Sequence, residues 1–186
     1  MSSYKFRVLI DNDTGKEVFR DLTVSGRTDF EVFYRKIIEA FGFRGDQMAS
    51  FYVSNESWDK GHEISLLDLR TGNEAEDPSM MLDTPVSAIV SGKGQRLLLV
   101  YDFLRMWCFM IECVSVLKTD VKEPRIDFVS GIAPDEDAKA IEASPGDDFD
   151  GPPELGNDID DIFSGMDDDP LDSDEAFDIP DGSDEY

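Results

Sequence analysis

The sequence predicts an α+β fold: a β-hairpin, an amphipathic helix and further strands forming a curved mixed or antiparallel sheet with the helix on one face. A disordered acidic C-terminal tail follows. Three observations predict this. Apolar and polar residues alternate in short runs at the amino terminus, residues 29–41 carry large apolar side chains at spacings of three and four, and most of the negative charge is confined to the last third of the chain.

Charge sets the domain boundary. Residues 134–186 hold 21 Asp and Glu and one basic residue, Lys139, a net of −20; residues 1–133 hold the other 21 acids and 16 bases, a net of −5, within a total of −25. In the acidic part, large apolar residues are scattered among like charges and prolines, and too little surface can be buried to offset the entropy of ordering the chain. Residues 134–186 therefore read as a disordered tail, and residues 1–133, rich in Val, Ile, Leu and aromatics, as one α+β domain.

In the hairpin, Tyr4, Phe6, Val8 and Ile10 alternate with Lys5, Arg7 and Leu9, and DNDTGKE supplies turn chemistry before a second strand over residues 18–24. Asp11 and Asp13 evoke a calcium loop, but its sixth and twelfth positions hold Lys16 and Leu22 in place of Gly and Glu, so the segment reads as a turn. Thr28 and Glu31 form a capping box, and Phe30, Phe33, Tyr34, Ile37, Ile38 and Phe41 fall on one helical face before Gly42, a stop signal. An aromatic stripe at this spacing is a core face rather than a ligand grip.

Residues 49–53 read as a strand, followed by a polar loop containing Trp58 and the lone His62. Residues 64–69 form another apolar run and residues 70–79 a loop. Thr84-Pro85 reads as the cap and first residue of a short helix over residues 85–90, ending by Gly92. The passage RLLLVYDFLRMWCFMIECVSVLK, residues 96–118, is long enough to cross a bilayer. Asp102, Arg105 and Glu112 interrupt it, each costing about 2.5–3.5 kcal/mol at a bilayer centre against gains of about 0.3–0.6 per large apolar residue. It reads instead as strands over residues 96–101 and 106–117. The second is apolar on both faces, as a central, doubly covered strand should be.

Chemical motifs are sparse. His62 sits in a polar stretch without a nucleophile nearby, and two cysteines with one histidine make no zinc pattern. No phosphate loop, dinucleotide fingerprint or nucleophile elbow is present. No catalytic residue, metal or cofactor is expected. Cys108 and Cys113 point to opposite faces of one strand and do not bridge. With no signal peptide at the amino terminus, the expected location is the cytoplasm. Lys5, Arg7 and Arg20 on the hairpin offer a basic face, with Arg35, Lys36 and Arg44 near the helix; interspersed Asp21, Glu31 and Glu39 favour a mixed, solvated surface.

The pieces YKFRVLI, VFRDLTV, FEVFYRKIIEAFGF, ASFYV, LLVYDFLRMW and PRIDFVSGIAPDED occur in this order, and Tyr101, Asp102, Phe103 and Trp107 form the most specific signature among them. In this the chain resembles the plasmid pRi open-reading-frame-three-like family, small proteins of plasmids and insertion sequences, over about three quarters of its length. The resemblance implies an α+β fold with a helix on a curved sheet and no settled activity. Where the family has Gly-Asp after Tyr-Asp-Phe, this chain has Leu104 and Arg105. Phe109 stands at the family's His, and Gln47-Met48 at its His-Leu pair.

The tail has its own pattern. Phe149, Phe163 and Phe177 recur at intervals of 14, with Ile162 and Ile179 beside two of them, each in an acidic setting. Acidic residues keep such side chains soluble and steer them toward a partner with a basic rim and apolar pockets. The competing reading is a tail that only confers solubility. The function expected is a non-enzymatic protein-interaction module whose tail engages a basic protein, one that processes nucleic acid being a candidate. Direct contact with nucleic acid is disfavoured because the tail repels phosphate. No membrane partner is expected, and the oligomeric state is open. Two alternatives are a nucleic-acid-binding domain autoinhibited by its tail, and a divergent enzyme using Tyr101, Asp102 and Glu112.

Overall fold

The computed structural model describes residues 2–73 and 77–141. Within them, eight strands and two α-helices follow in the order β1 (Ser3–Ile10), β2 (Phe19–Ser25), α1 (Phe30–Phe41), β3 (Ala49–Ser54), β4 (Lys60–Ser65), β5 (Ser79–Met80), α2 (Val86–Ile89), β6 (Arg96–Tyr101), β7 (Trp107–Leu117) and β8 (Arg125–Ser130), with a 3-10 turn at Met81–Asp83 before α2. One mixed sheet contains all eight, in the order β5-β4-β3-β6-β7-β1-β2-β8. Only the short β4–β5 pair is parallel. The sheet dominates more than an even α+β mixture would suggest, because α2 is a single turn.

The hairpin forms as its alternation requires, with Phe6 opposite Leu22 and Val8 opposite Arg20. Its loop is a local Asn12 device: the side-chain oxygen accepts from Thr14 N–H at 3.1 Å, and the amide donates to the Lys16 carbonyl at 3.0 Å. Helix α1 buries Phe30, Phe33, Tyr34, Ile37, Ile38 and Phe41 as their spacing demands. The cap differs from expectation by one residue. Asp29, not Thr28, accepts the Val32 N–H at 2.8 Å, and Glu31 turns outward to pair with Arg35. At the other end Gly42 adopts φ 73°, and the Phe43 N–H reaches back to the Ile38 carbonyl at 3.0 Å.

The buried stripe of α1 lies on Phe6, Phe51 and Phe109. Each fully buried aromatic or aliphatic side chain contributes about 1.5–3 kcal/mol, so this contact joins β1, β3 and β7 through one apolar mass. Strand β7 is central, between β6 and β1. Its Trp107, Phe109 and Ile111 belong to the core under α1, while Cys108 and Met110 are buried on the opposite side. Between Lys5 and Phe6 the register with β7 shifts, so Cys113 faces Phe6 and Ser115 faces Lys5.

Local expectations need correction in three places. His62 and Lys60 lie in β4, which ends at Ser65, so the second strand of this pair begins earlier than the apolar run suggests. Trp58 remains in the preceding turn at φ 63° and is buried. Thr84 caps nothing in α2; its hydroxyl donates to the Met80 carbonyl at 2.7 Å, Pro85 occupies the N-cap position, and the helix stops at Val90. Strands β5 and β8 have no counterpart in the expected element order. Among the described residues no helix is long and apolar enough to cross a membrane.

Candidate functional site

The turn joining β6 to β7 places the Tyr-Asp-Phe signature. Asp102 and Met106 both have positive φ, at 57° and 53°, and the Asp102 carboxylate accepts the N–H groups of Leu104 and Arg105 at 3.0 and 3.2 Å. Aspartate tolerates this left-handed backbone and satisfies the turn's donors itself, which accounts for its place in the turn. Tyr101, one residue earlier, points into the core beside Phe43, and Trp107 begins β7 on the same side. Phe103 is left partly exposed at the tip.

A short segment that composition assigns to the tail packs onto this end of the sheet. Glu136 is 6% exposed, and its carboxylate accepts the Tyr101 hydroxyl at 2.7 Å and the Arg44 N–H at 2.7 Å. Its main-chain carbonyl accepts Trp107 Nε1–H at 3.0 Å. The Tyr101 oxygen in turn accepts the Gly45 N–H at 3.0 Å. Outside this buried centre Asp137 receives both Nη groups of Arg44, at 2.8 and 3.1 Å, and lies 3.3 Å from Arg105. Lys139 donates to the Met106 carbonyl at 2.8 Å. Residues 136–139 thus form a latch across the loop after α1 and the β6–β7 turn.

The electrostatics follow from these contacts. Burial and the adjacent Glu136 raise the Tyr101 pKa, and burial pushes Tyr34 up to about 12. The hydrogen bonds from Arg44 hold Asp137 below its ordinary value and raise the arginine. Tyr34 also leaves its buried hydroxyl without a partner, close to Gly45. Tyr101 is fully buried and Glu136 is 6% exposed, so both groups are spent on bonds between chain segments. This arrangement holds chain segments together.

The sequence-derived candidates separate in space. Tyr101 faces the core and Asp102 closes its turn, while Glu112 lies on the opposite sheet face, 3.1 Å from Arg96; these three share no cleft. The basic face of Lys5, Arg7 and Arg20 does not form. Lys5 and Arg7 converge on Asp21, at 3.7 and 2.9 Å, whereas Arg20 is buried on the helix side, over Phe41 and bonded to the carbonyls of Ala40 and Ser130. Alternation within β2 dictates this split. His62 is exposed, with Nε2 2.7 Å from the Ser79 hydroxyl. Phe149, Ile162, Phe163, Phe177 and Ile179 lie outside the described residues. Among the described residues, no three His, Cys, Asp or Glu are grouped as metal ligands.

Both cysteines are free and buried, and burial pushes each thiol up to about 12. A thiol whose pKa is higher folded than unfolded contributes stability that is intact below about pH 8.5 and is lost as pH rises toward 12. At pH 11 the loss from Cys108 alone is on the order of 3 kcal/mol. Urea unfolding at pH 8 and pH 11 should therefore show a marked fall in midpoint that Cys108→Ala reduces; an equal fall in both proteins would contradict the assignment.

The fold and latch define a small single-sheet domain closed by an acidic segment. The chain belongs to the family described as plasmid pRiA4b ORF-3-like protein, whose profile matches residues 2–145. The match continues past the charge-based boundary and includes the whole latch. The chain is also similar to the crystal structure of a protein of unknown function from Methanosarcina mazei Go1. That likeness has a TM-score of 0.60 and 17% identity and covers 75% of each chain, and it bears on the fold alone. No curated protein matches the chain.

Proposed function

We propose that this protein is a non-enzymatic interaction module whose acidic, Phe-spaced carboxyl-terminal segment engages a partner protein with a basic surface. The observation that carries the proposal is the net charge of −20 over residues 134–186, with Phe149, Phe163 and Phe177 at intervals of 14. A partner with a basic rim and apolar pockets is steered by the charge and held by the rings, and three short segments raise avidity where its sites repeat. A protein that processes nucleic acid presents such a surface. The engaged state of Tyr101, Glu136 and Asp102 supports a structural use of the signature. The free, buried thiols suit a reducing cytoplasm.

Affinity capture from native lysate tests this with the full chain, a version ending at Pro145 that keeps the latch, and a full-length variant with Phe149, Phe163 and Phe177 changed to Ala. A basic partner should be retained by the full chain and lost from the other two. The same partners on all three would remove any role for the segment.

A further inference from the structure

Among the described residues, strand β8 closes one edge of the sheet, with β2 as its only sheet neighbour. Phe128 and Val129 are 53% and 56% exposed, and Ile132 just beyond is 93% exposed. An edge strand presents unpaired main-chain donors and acceptors, and proteins ordinarily blunt such edges with charge, proline or a bulge. Here a bulge is present: the register with β2 shifts between Asp21 and Leu22, so that Phe128 faces Asp21 and Ile126 faces Leu22, leaving Asp127 extra.

The bulge changes which side each residue takes. Ile126 packs against the core on the helix side, and Val129 lies opposite the inward Arg20. The remaining residues take the other face. Phe128 stacks on Phe19 at 5.8 Å, Asp127 accepts the Thr23 hydroxyl, and Arg125 lies opposite Thr23 and pairs with Asp127. Ser130 lies opposite Phe19. From Arg125 to Ser130 the sides therefore read far, helix, far, far, helix, far, a pattern identical in both directions.

We propose that β8 pairs antiparallel with β8 of a second copy of this chain across a two-fold axis, extending the sheet. An ordinary alternating strand laid on this edge is on the wrong face for half of its length. A second β8 is not. With the axis between Asp127 and Phe128, the opposed pairs are Arg125 with Ser130, Ile126 with Val129 and Asp127 with Phe128 of the other copy, each on one face. Moving the axis onto Asp127 sets two carboxylates against each other, and moving it onto Phe128 sets Asp127 opposite Val129 on the wrong face. The favoured register also puts each Arg125 diagonal to the other copy's Phe128, within reach of its ring.

Sedimentation velocity of the full chain over a wide concentration range tests this. A reversible monomer–dimer equilibrium is expected, weakened about tenfold or more by Phe128→Asp, which opposes Asp127, and by Val129→Lys. Both positions are exposed, so unchanged thermal unfolding of the monomers should show that folding is retained. In a variant carrying Ile126→Cys and Val129→Cys, mild oxidation should give a covalent dimer, since the two positions lie too far apart within one strand to bridge. A chain that stays monomeric throughout, or a dimer indifferent to both charged substitutions, overturns the proposal. A sensitive dimer without the cross-link overturns its register. None of these outcomes depends on capture of a basic partner, so this test and that of the acidic segment fail separately.

Discussion

Phe33→Ala is expected to cost the domain about 3–5 kcal/mol, a large share of a typical margin of about 5–15 kcal/mol. Phe33 is fully buried, with its ring 4.7 Å from that of Phe6 and 5.7 Å from that of Phe51, centroid to centroid. These partners belong to β1 and β3, which are not neighbours in the sheet, so the ring bridges the helix to two separate strands. Neither strand can move into the space without breaking its own ladder, and the cavity stays largely open. Urea denaturation should show the midpoint falling with an unchanged slope. A loss below about 1 kcal/mol would mean that the helix can settle onto the sheet, contrary to the close packing described.

The second large effect is expected at the latch. Glu136→Ala leaves the Tyr101 hydroxyl and the Arg44 N–H without their acceptor in a buried setting, with an expected loss of about 2–4 kcal/mol. Glu136→Gln should be intermediate, because one amide oxygen can still accept from Tyr101 while its NH2 group meets the Arg44 donor. Trp107 supplies an independent readout, since its indole bonds the Glu136 main-chain carbonyl whatever the side chain is. Red-shifted Trp emission and faster proteolytic cleavage near residue 137 should accompany the stability loss in the Ala variant. Unaltered stability and cleavage would show that residues 136–139 are held by other contacts.

The parts of the fold visible in the sequence were those with strong periodicity. Helix α1 declares itself through six buried residues on one face, and β1, β2, β6 and β7 through alternation or dense apolar runs. Strand β8 was invisible because RIDFVS is charged, short and mostly exposed, and only its pairing with β2 makes it a strand. His62 and Lys60 misled for the same reason, as β4 is polar at its start and held by β3. The signature residues were legible as a set, but their role was not. Tyr101 and Trp107 meet Glu136 from 35 and 29 residues away in sequence, and its acidic neighbours argue locally for solvent. The one hint lay in the family resemblance itself, which ran on through PDED past the point where composition changes.

The position of β1 has a kinetic consequence. It is the first strand of the chain, yet it lies between β2 and β7, with Ser3 opposite Leu117. The hairpin can form early and locally, but its second edge waits until more than half the chain has been made or has collapsed. Such distant pairing raises contact order and slows folding. During that wait Phe6, Val8 and Ile10 have no β7 beside them, which leaves the early hairpin open to misassociation.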